Sequence, residues 1–155
     1  MSKICDHTSV GMIVWKGDKI LLIERAKFPK GFACPAGHVD SDESYEISAK
    51  RELKEEVGLD ATELALVADK RMENPCRREG GSWHHWKVFK TEASGELERS
   101  LDETKKAGWY SIEEIKNLGA KTQEYRDGKI SEEAWDQNPG LEPIWFDWLK
   151  ELNII

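Results

Sequence analysis

The chain of 155 residues has no long apolar run and no excess of positive charge. Its first ten residues, MSKICDHTSV, lack the apolar core of a signal peptide or a membrane span, so we expect a cytoplasmic protein without membrane contact. The formal net charge is -7, which disfavours a DNA-binding protein because such proteins usually present a basic face. The same charge disfavours an enzyme that removes 5′ caps from RNA.

Cysteine is scarce, and the three cysteines are widely spaced: Cys5, Cys34 and Cys76. Their odd number and spacing indicate reduced thiols rather than a disulfide framework. Cys34 with His38 is one conceivable zinc-binding set, and Cys76 with His84 and His85 is another. Because the chain has no CxxC or HxxxH pair, the sequence does not favour a zinc site.

The apolar content is sufficient for a folded core. Hydrophobic residues make up 39% of the chain and seven residues are tryptophan, which excludes disorder. The length suits one domain, and neither an internal repeat nor a linker divides it. We therefore predict one domain over residues 1–155, with an additional helical segment at about residues 121–155.

Several segments have the composition of strands. Residues 10–15 and 19–25 are apolar and rich in β-branched residues, and the Lys-Gly-Asp at 16–18 predicts a hairpin between them. Residues 63–70 and 84–91 are predicted to be further strands. Ser111, with Glu114 three residues later, predicts the capped start of a short helix.

One segment, residues 37–59, reads GHVDSDESYEISAKRELKEEVGL. Ser44 is a plausible N-cap, and neither proline nor glycine interrupts residues 45–57, so we expect a helix there. Gly58 can adopt the left-handed conformation that ends a helix, with Leu59 as its apolar partner. A stripe of Ala49, Leu53 and Val57 would pack this helix against a sheet.

Three carboxylates of this helix, those of Glu52, Glu55 and Glu56, fall within one sector of its surface at about 100° per residue. Crowded carboxylates repel one another unless cations lie between them, and oxygen-only ligands suit Mg²⁺ or Mn²⁺. Arg51 can bridge to Glu55 or to Glu43 and brace the group. The alternative is an ordinary solvated acidic face, since 34% of the chain is charged. That alternative does not explain why Gly37, Glu43, Arg51 and Gly58 occur at their particular distances from these glutamates.

The segment fills every defined position of the Nudix signature, GX5EX7REUXEEXGU, in which U is aliphatic. Those positions are Gly37, Glu43, Arg51, Glu52, Leu53, Glu55, Glu56, Gly58 and Leu59. The chain therefore resembles the Nudix hydrolases, which cleave the diphosphate bond of a nucleoside diphosphate linked to another group. The resemblance implies an α/β (α+β) fold, an α/β/α sandwich with a mixed central sheet on which the helix of the signature packs.

The resemblance also implies roles for individual residues. Glu55 and Glu56 match the principal metal-binding glutamates, and Glu52 matches a third that in some members acts on the attacking water. Glu43 matches an additional metal carboxylate, and the backbone carbonyl of Ala36 matches a metal ligand. Gly37, Arg51 and Gly58 take structural positions in the signature.

Glu103 matches an acidic residue that binds metal or accepts a proton in some relatives. The alternative is an ordinary surface acid in the polar run 100–106. Arg25, at the end of a predicted strand, matches a position that contacts substrate phosphate, which a guanidinium can bind through two donors.

Substrate choice is expected to lie outside the signature. Pro75 stands close to where a proline accompanies ADP-ribose hydrolysis in some relatives, although a turn explains it equally well. The residues after it form a basic and aromatic loop with candidate substrate contacts at Arg77, Arg78, His84 and His85. The alternative is that alternate residues of 83–89 pack into the core.

Near the C-terminus, Pro143 begins a predicted helix with an apolar stripe: Ile144, Trp145, Trp148, Leu149 and Leu152. The stripe favours core packing, and a homodimer contact or an aromatic wall beside a nucleotide base is the alternative.

The function implied is metal-dependent hydrolysis of a small nucleotide: an ADP-ribose-like compound, a nucleotide sugar or a nucleoside triphosphate. The competing function is a nucleotide-sensing Nudix module without catalysis. Such modules typically lose carboxylates of the signature, whereas this chain retains all of them.

Overall fold

The computed structural model describes residues 3–41 and 44–155. Eight strands form one sheet: β1 Thr8–Lys16, β2 Lys19–Arg25, β3 Phe32–Ala33, β4 Ala36–Gly37, β5 Asp60–Ala61, β6 Ala65–Glu73, β7 Trp83–Ser94 and β8 Thr104–Ser111. Four helices accompany the sheet: α1 Tyr45–Val57, α2 Ile112–Arg126, α3 Glu132–Gln137 and α4 Pro143–Glu151.

The sheet is mixed, which confirms the predicted fold class. β1 and β7 run parallel along their length, from Thr8 opposite His85 to Trp15 opposite Glu92. The other neighbours in the sheet are antiparallel. On its other edge β1 pairs with β2 only beside the hairpin, and the short strand β4 pairs with the start of β1. This arrangement places the beginning of the signature against the centre of the sheet.

The predicted hairpin at residues 16–18 is confirmed, while the later strands are offset from their predicted bounds. β6 begins two residues after the expected position, and β7 extends beyond residues 84–91 at both ends. The hydrogen bonds between β6 and β7 determine these bounds, because residues 65–73 pair with residues 83–90 in antiparallel register. Most of β6 is exposed, so apolar content was a poor guide to where it lies.

Helix α1 has the bounds that the sequence predicts. The Ser44 side chain accepts a hydrogen bond from the Ile47 backbone N–H at 3.1 Å, and Gly58 ends the helix with φ of 73°. Leu53 and Val57 are fully buried on the side that faces the sheet. Glu56 is buried beside this stripe, whereas Glu55 is exposed.

Helix α2 begins with the predicted capping box, in which the side chains of Ser111 and Glu114 each accept the other's backbone N–H. The helix is longer than predicted, since it continues for 15 residues to Arg126. Residues 121–126, assigned from the sequence to a C-terminal helical segment, therefore belong to α2.

Helix α4 packs into the core, which confirms the favoured interpretation of its apolar stripe. Trp145 and Trp148 are fully buried and meet Trp86 of β7 edge to face, with ring centroids 5.7 and 6.0 Å apart. Gly11 of β1 makes room for them, because a Cβ atom there would lie 2.6 Å from the Trp145 ring. No helix within residues 3–41 and 44–155 has the length and apolar character to cross a membrane.

Candidate active site

An open cavity of about 860 Å³ lies where the acidic side of α1 faces β4, the loop between β6 and β7, and the segment before β8. Most of the candidate site residues line it: Arg25, Ala36, Gly37, Arg51, Glu52, Glu55, Glu56, Arg77, Arg78, His84 and Glu103. The structure thus brings together residues that are up to 78 positions apart in the chain.

Three candidate residues are not among those that line the cavity. Gly58 ends α1, the structural position expected for it. Glu43 lies outside the described residues. His85 does not line the cavity, because successive residues of β7 point to opposite sides of the sheet and His84 is the one that faces it. The His85 ring is exposed and its Nε2 lies 2.5 Å from Asp69 Oδ1 on β6. The geometry therefore gives no support to the prediction that His85 contacts substrate.

Glu56 is the most buried of the three α1 carboxylates in the cavity, with 7% of its surface exposed. Its Oε1 accepts a hydrogen bond from the Ala36 backbone N–H at 3.1 Å. Burial, followed by the negative charge of Glu52, raises the pKa of Glu56 well above its usual value. In the protein alone this carboxylate is thus held in an environment that disfavours its charge.

Glu52 shares that environment. Burial is the main cause that raises the pKa of Glu52 to about 7, with Arg51 opposing it and Glu55 adding to it. Arg51 Nη1 lies 2.9 Å from Glu52 and 3.2 Å from Glu55, which confirms the predicted bridge to Glu55. Arg51 Nη2 also donates to the His38 carbonyl at 3.0 Å, so this one guanidinium ties α1 to the loop after β4.

Gly37 is required for close approach. A Cβ atom at this position would lie 2.2 Å from the Glu52 carboxylate, so any other residue would force Glu52 out of its position. Ala36 immediately precedes Gly37 in β4. It is absent from the residues with positive φ among those described, so its backbone does not require glycine.

Arg25, at the end of β2, also lines the cavity, and its charge acts to lower the pKa of Glu56. Its Nε donates to the Pro29 carbonyl at 2.6 Å and is 3.8 Å from Glu142 Oε1. Glu142 is buried, and burial raises its pKa while the charge of Arg25 opposes the rise. Sequence reasoning missed Glu142, because it lies over a hundred residues from Arg25 and its only local signal is that it precedes the first residue of α4.

Glu103 lies at the rim of the cavity with its side chain 46% exposed. Lys27 Nζ lies 3.2 Å from its carboxylate and 3.0 Å from that of Asp102. The Glu103 carbonyl accepts a hydrogen bond from the Ala26 N–H at 3.0 Å, which fixes the segment before β8 beside β2. Glu103 is therefore neither an isolated surface acid nor part of the buried carboxylate group.

The loop between β6 and β7 forms the far wall. Arg78 makes a two-pronged ion pair with Asp40, at 2.5 and 3.0 Å, whereas Arg77 is exposed and faces the cavity. His84 is buried and its Nδ1 lies 3.1 Å from Asn74 Oδ1. Burial lowers the pKa of His84, and it lowers the pKa of His38 beside it to about 4.

The donor set at α1 fits a hard divalent cation. Two carboxylates are buried or nearly so, and a third stands beside them. Arg51 offsets the charge of Glu52 and Glu55, and the charge of Arg25 acts on Glu56. Oxygen ligands of this kind suit Mg²⁺ or Mn²⁺. Glu52, Glu55, Glu56 and the Ala36 carbonyl are the groups that would hold the ion.

Comparison with known proteins agrees with the family resemblance of the sequence. The family model described as NUDIX domain matches residues 6–133. The chain belongs to the Nudix family. The crystal structure of a Nudix-family hydrolase from Clostridium perfringens superposes with a TM-score of 0.62 over 96% of this chain and 97% of its own, at 21% identity. At that identity the likeness supports the fold alone.

Two curated relatives resemble the Nudix chain in sequence. NAD-capped RNA hydrolase NudC of Pseudomonas aeruginosa is 30% identical over 113 residues, which cover 72% of this chain and 38% of that protein. NAD(P)H pyrophosphatase NUDT13, mitochondrial, of Homo sapiens is 31% identical over 104 residues, 66% of this chain and 29% of that protein. The chain thus spans about a third of the length of these relatives.

The buried carboxylates predict a metal-linked stability. Because the folded-state pKa of Glu56 is raised, its ionisation destabilises the metal-free protein as the pH rises above the unfolded value. Replacing Glu56 by Gln retains an acceptor for the Ala36 N–H and removes the charge. At about pH 8 without divalent cations, Glu56→Gln should raise Tm by about 3 °C or more. The difference in Tm between Glu56→Gln and the wild type should narrow toward about pH 5, where the wild-type carboxylate gains its proton.

The matched control is Glu46→Gln, on the exposed first turn of the same helix. This substitution should leave Tm nearly unchanged at both pH values when unfolding is followed by circular dichroism. A Glu56→Gln protein that is less stable than the wild type at about pH 8 would contradict the account of Glu56.

Proposed function

We propose that the chain is a metal-dependent hydrolase that cleaves the diphosphate bond of a nucleoside diphosphate linked to a second group. The observation that carries the proposal is the cavity wall formed by Glu52, Glu55 and Glu56. Glu52 and Glu55 pair with Arg51, and the three carboxylates face a cavity of about 860 Å³, a size that accommodates a nucleotide with its second group.

The metal requirement rests on the donor set. Glu52, Glu55, Glu56 and the Ala36 carbonyl would hold Mg²⁺ or Mn²⁺, with Glu43 as a further candidate from the signature. Such a cation would offset the negative charge of the diphosphate and lower the pKa of a bound water. Nudix hydrolases generally use divalent metal ions, which supports this assignment.

The residues that would bind phosphate and accept a proton are assigned from their places in the cavity. Arg25, directed by the Pro29 carbonyl, would bring positive charge to the phosphate side of the cavity. Glu52 in the wall or Glu103 at the rim would accept the proton of the attacking water. The oxygen of that water would join one phosphorus while the bridging oxygen leaves with the other. The products would be a nucleoside monophosphate and a phosphorylated remainder.

The names of the two relatives add one candidate to the substrate class. The name of one refers to NAD-capped RNA and that of the other to NAD(P)H, and both ligands contain a diphosphate between two nucleosides. Their names support adding NADH to ADP-ribose, nucleotide sugars and nucleoside triphosphates as candidates. A Nudix module that senses nucleotides without cleaving them is the competing function, and the complete set of carboxylates disfavours it.

Removing one metal carboxylate should abolish turnover on every substrate. Glu55→Gln keeps the size of an exposed side chain, so folding is unaffected while a ligand charge is lost. Turnover with Mg²⁺ should fall about a hundredfold or more, because metal activation contributes several kcal/mol to the transition state. The measurement is release of monophosphate from ADP-ribose, NADH, a uridine diphosphate sugar and a nucleoside triphosphate.

Glu46→Gln on the same helix is the control and should retain full turnover. Wild-type protein that binds a substrate of this panel without cleaving it would favour the sensing module. Near-normal turnover of Glu55→Gln would instead remove Glu55 from the metal site.

Arg77 is expected to influence substrate choice. It is exposed, lines the cavity opposite α1, and lies outside the shared diphosphate machinery. Arg77→Ala should therefore change the ratio of kcat/KM between substrates that differ in the second group, by about tenfold if one charged contact is lost. Arg78 is unsuitable for this test because its ion pair with Asp40 supports the loop.

The comparison variant is Lys116→Ala, which removes an exposed charge on α2 away from the cavity. This substitution should leave the ratios of kcat/KM between substrates unchanged. Equal losses on every substrate in Arg77→Ala would show that the loop contributes general phosphate binding rather than selection.

A further inference from the structure

Four metal-binding side chains, two thiols and two imidazoles, meet beside the cavity, and three of them line it. Cys5, His38, Cys76 and His84 each offer one ligand atom, and these atoms all lie within 4.8 Å of one another. They come from four separate segments: the chain before β1, the loop after β4, the loop between β6 and β7, and β7 itself. Neither Cys34 nor His85, named in the two sets considered from sequence, belongs to the group.

The distances resemble those around a tetrahedral ion. Cys5 Sγ lies 3.4 Å from His84 Nε2 and 3.6 Å from His38 Nε2. Zinc bonds of about 2.3 Å to sulfur and about 2.0 Å to nitrogen would separate neighbouring ligands by about 3.5 Å. Small adjustments of the side chains would therefore place an ion among all four.

The tautomer of His84 is set for metal binding. Trp86 Nε1–H, which can only donate, lies 3.0 Å from Asn74 Oδ1 and so fixes which atom of the amide is the oxygen. The same Oδ1 lies 3.1 Å from His84 Nδ1, which must therefore carry the proton. The lone pair of His84 is then on Nε2, directed toward Cys5. A second partner that orients a histidine in this way is typical of metal ligands.

Both sulfur atoms receive backbone hydrogen bonds. The N–H of His7 lies 3.3 Å from Cys5 Sγ, and the N–H of Arg78 lies 3.4 Å from Cys76 Sγ. Donors of this kind stabilise thiolates, the form that binds metals. Gly81 leaves the space that Cys76 occupies, because a Cβ atom there would lie 2.1 Å from its sulfur.

The two cysteine segments are held in place by main-chain contacts. The Cys5 N–H donates to the Glu79 carbonyl at 2.8 Å, and the Glu79 N–H donates to the Lys3 carbonyl at 3.1 Å. The Cys76 N–H donates to the Gly81 carbonyl at 2.8 Å. The ligands are thus positioned by the fold itself, so binding requires little reordering of the chain.

We propose that Cys5, His38, Cys76 and His84 form a structural Zn²⁺ site that joins the N-terminal segment and the β6–β7 loop to β7. Two thiolates and two neutral imidazoles favour zinc over Mg²⁺, which prefers oxygen. The two thiolate charges balance the ion, so the filled site is neutral. With four protein ligands the site is closed, and its role is to hold the loop that carries Arg77.

The test uses the full chain, freed of any affinity tag and purified under reducing conditions. Elemental analysis should find one zinc per chain. Protein stripped of zinc should take up one equivalent of Co²⁺ and show intense tetrahedral absorption with thiolate-to-cobalt charge transfer, which a carboxylate site cannot give. Neither measurement depends on a substitution that might unfold the protein.

Cys76→Ser should lower the zinc content at least tenfold and remove the charge-transfer band. Cys34→Ala, which alters the buried cysteine outside the group, should retain both, and so should Glu56→Gln at the carboxylate site. Wild-type protein without zinc and without the cobalt band would overturn the proposal. So would a disulfide between Cys5 and Cys76 in the purified protein, detected by mass spectrometry after thiol alkylation.

Discussion

The burial of Glu52 and Glu56 side by side is the constraint on which the candidate active site depends. Burial is the main cause that raises the pKa of each carboxyl group, and the charge of Glu52 raises the pKa of Glu56 further. A protein without a cationic ligand would gain stability by replacing either residue. The presence of two buried carboxylates side by side is therefore the physical argument for a divalent cation between them. The surrounding fold holds both residues in this position.

Three features of the fold maintain that arrangement. The pairing of β4 with β1 brings Ala36 and Gly37 to the buried side of α1, where one donates to Glu56 and the other leaves room for Glu52. Arg51 offsets part of the charge and ties α1 to the loop after β4. Across the cavity, Arg25 and Glu142 join the second strand to the C-terminal helices. The site is thus shared by segments from both ends of the chain.

Sequence alone predicted the parts of this site that depend on local chemistry. The cap at Ser44, the left-handed Gly58 and the acidic side of α1 follow from residue type and helical spacing, and their bounds were correct. What depends on tertiary pairing was not predictable. The bounds of β6 depend on its pairing with β7. The contact between Arg25 and Glu142 joins residues that are too far apart in the chain to form a spacing pattern. The same is true of the cluster formed by Cys5, His38, Cys76 and His84.

The most direct test of the account is a titration of the metal-free protein with Mn²⁺, with the unbound ion followed by electron paramagnetic resonance. Wild-type protein should bind Mn²⁺, and the doubly substituted Glu52→Gln, Glu56→Gln protein should not. Cys76→Ser should bind it like the wild type, because a hard ion prefers the carboxylates to the cysteine and histidine group. Undiminished Mn²⁺ binding by the doubly substituted protein would contradict the central claim that these buried carboxylates hold the catalytic metal.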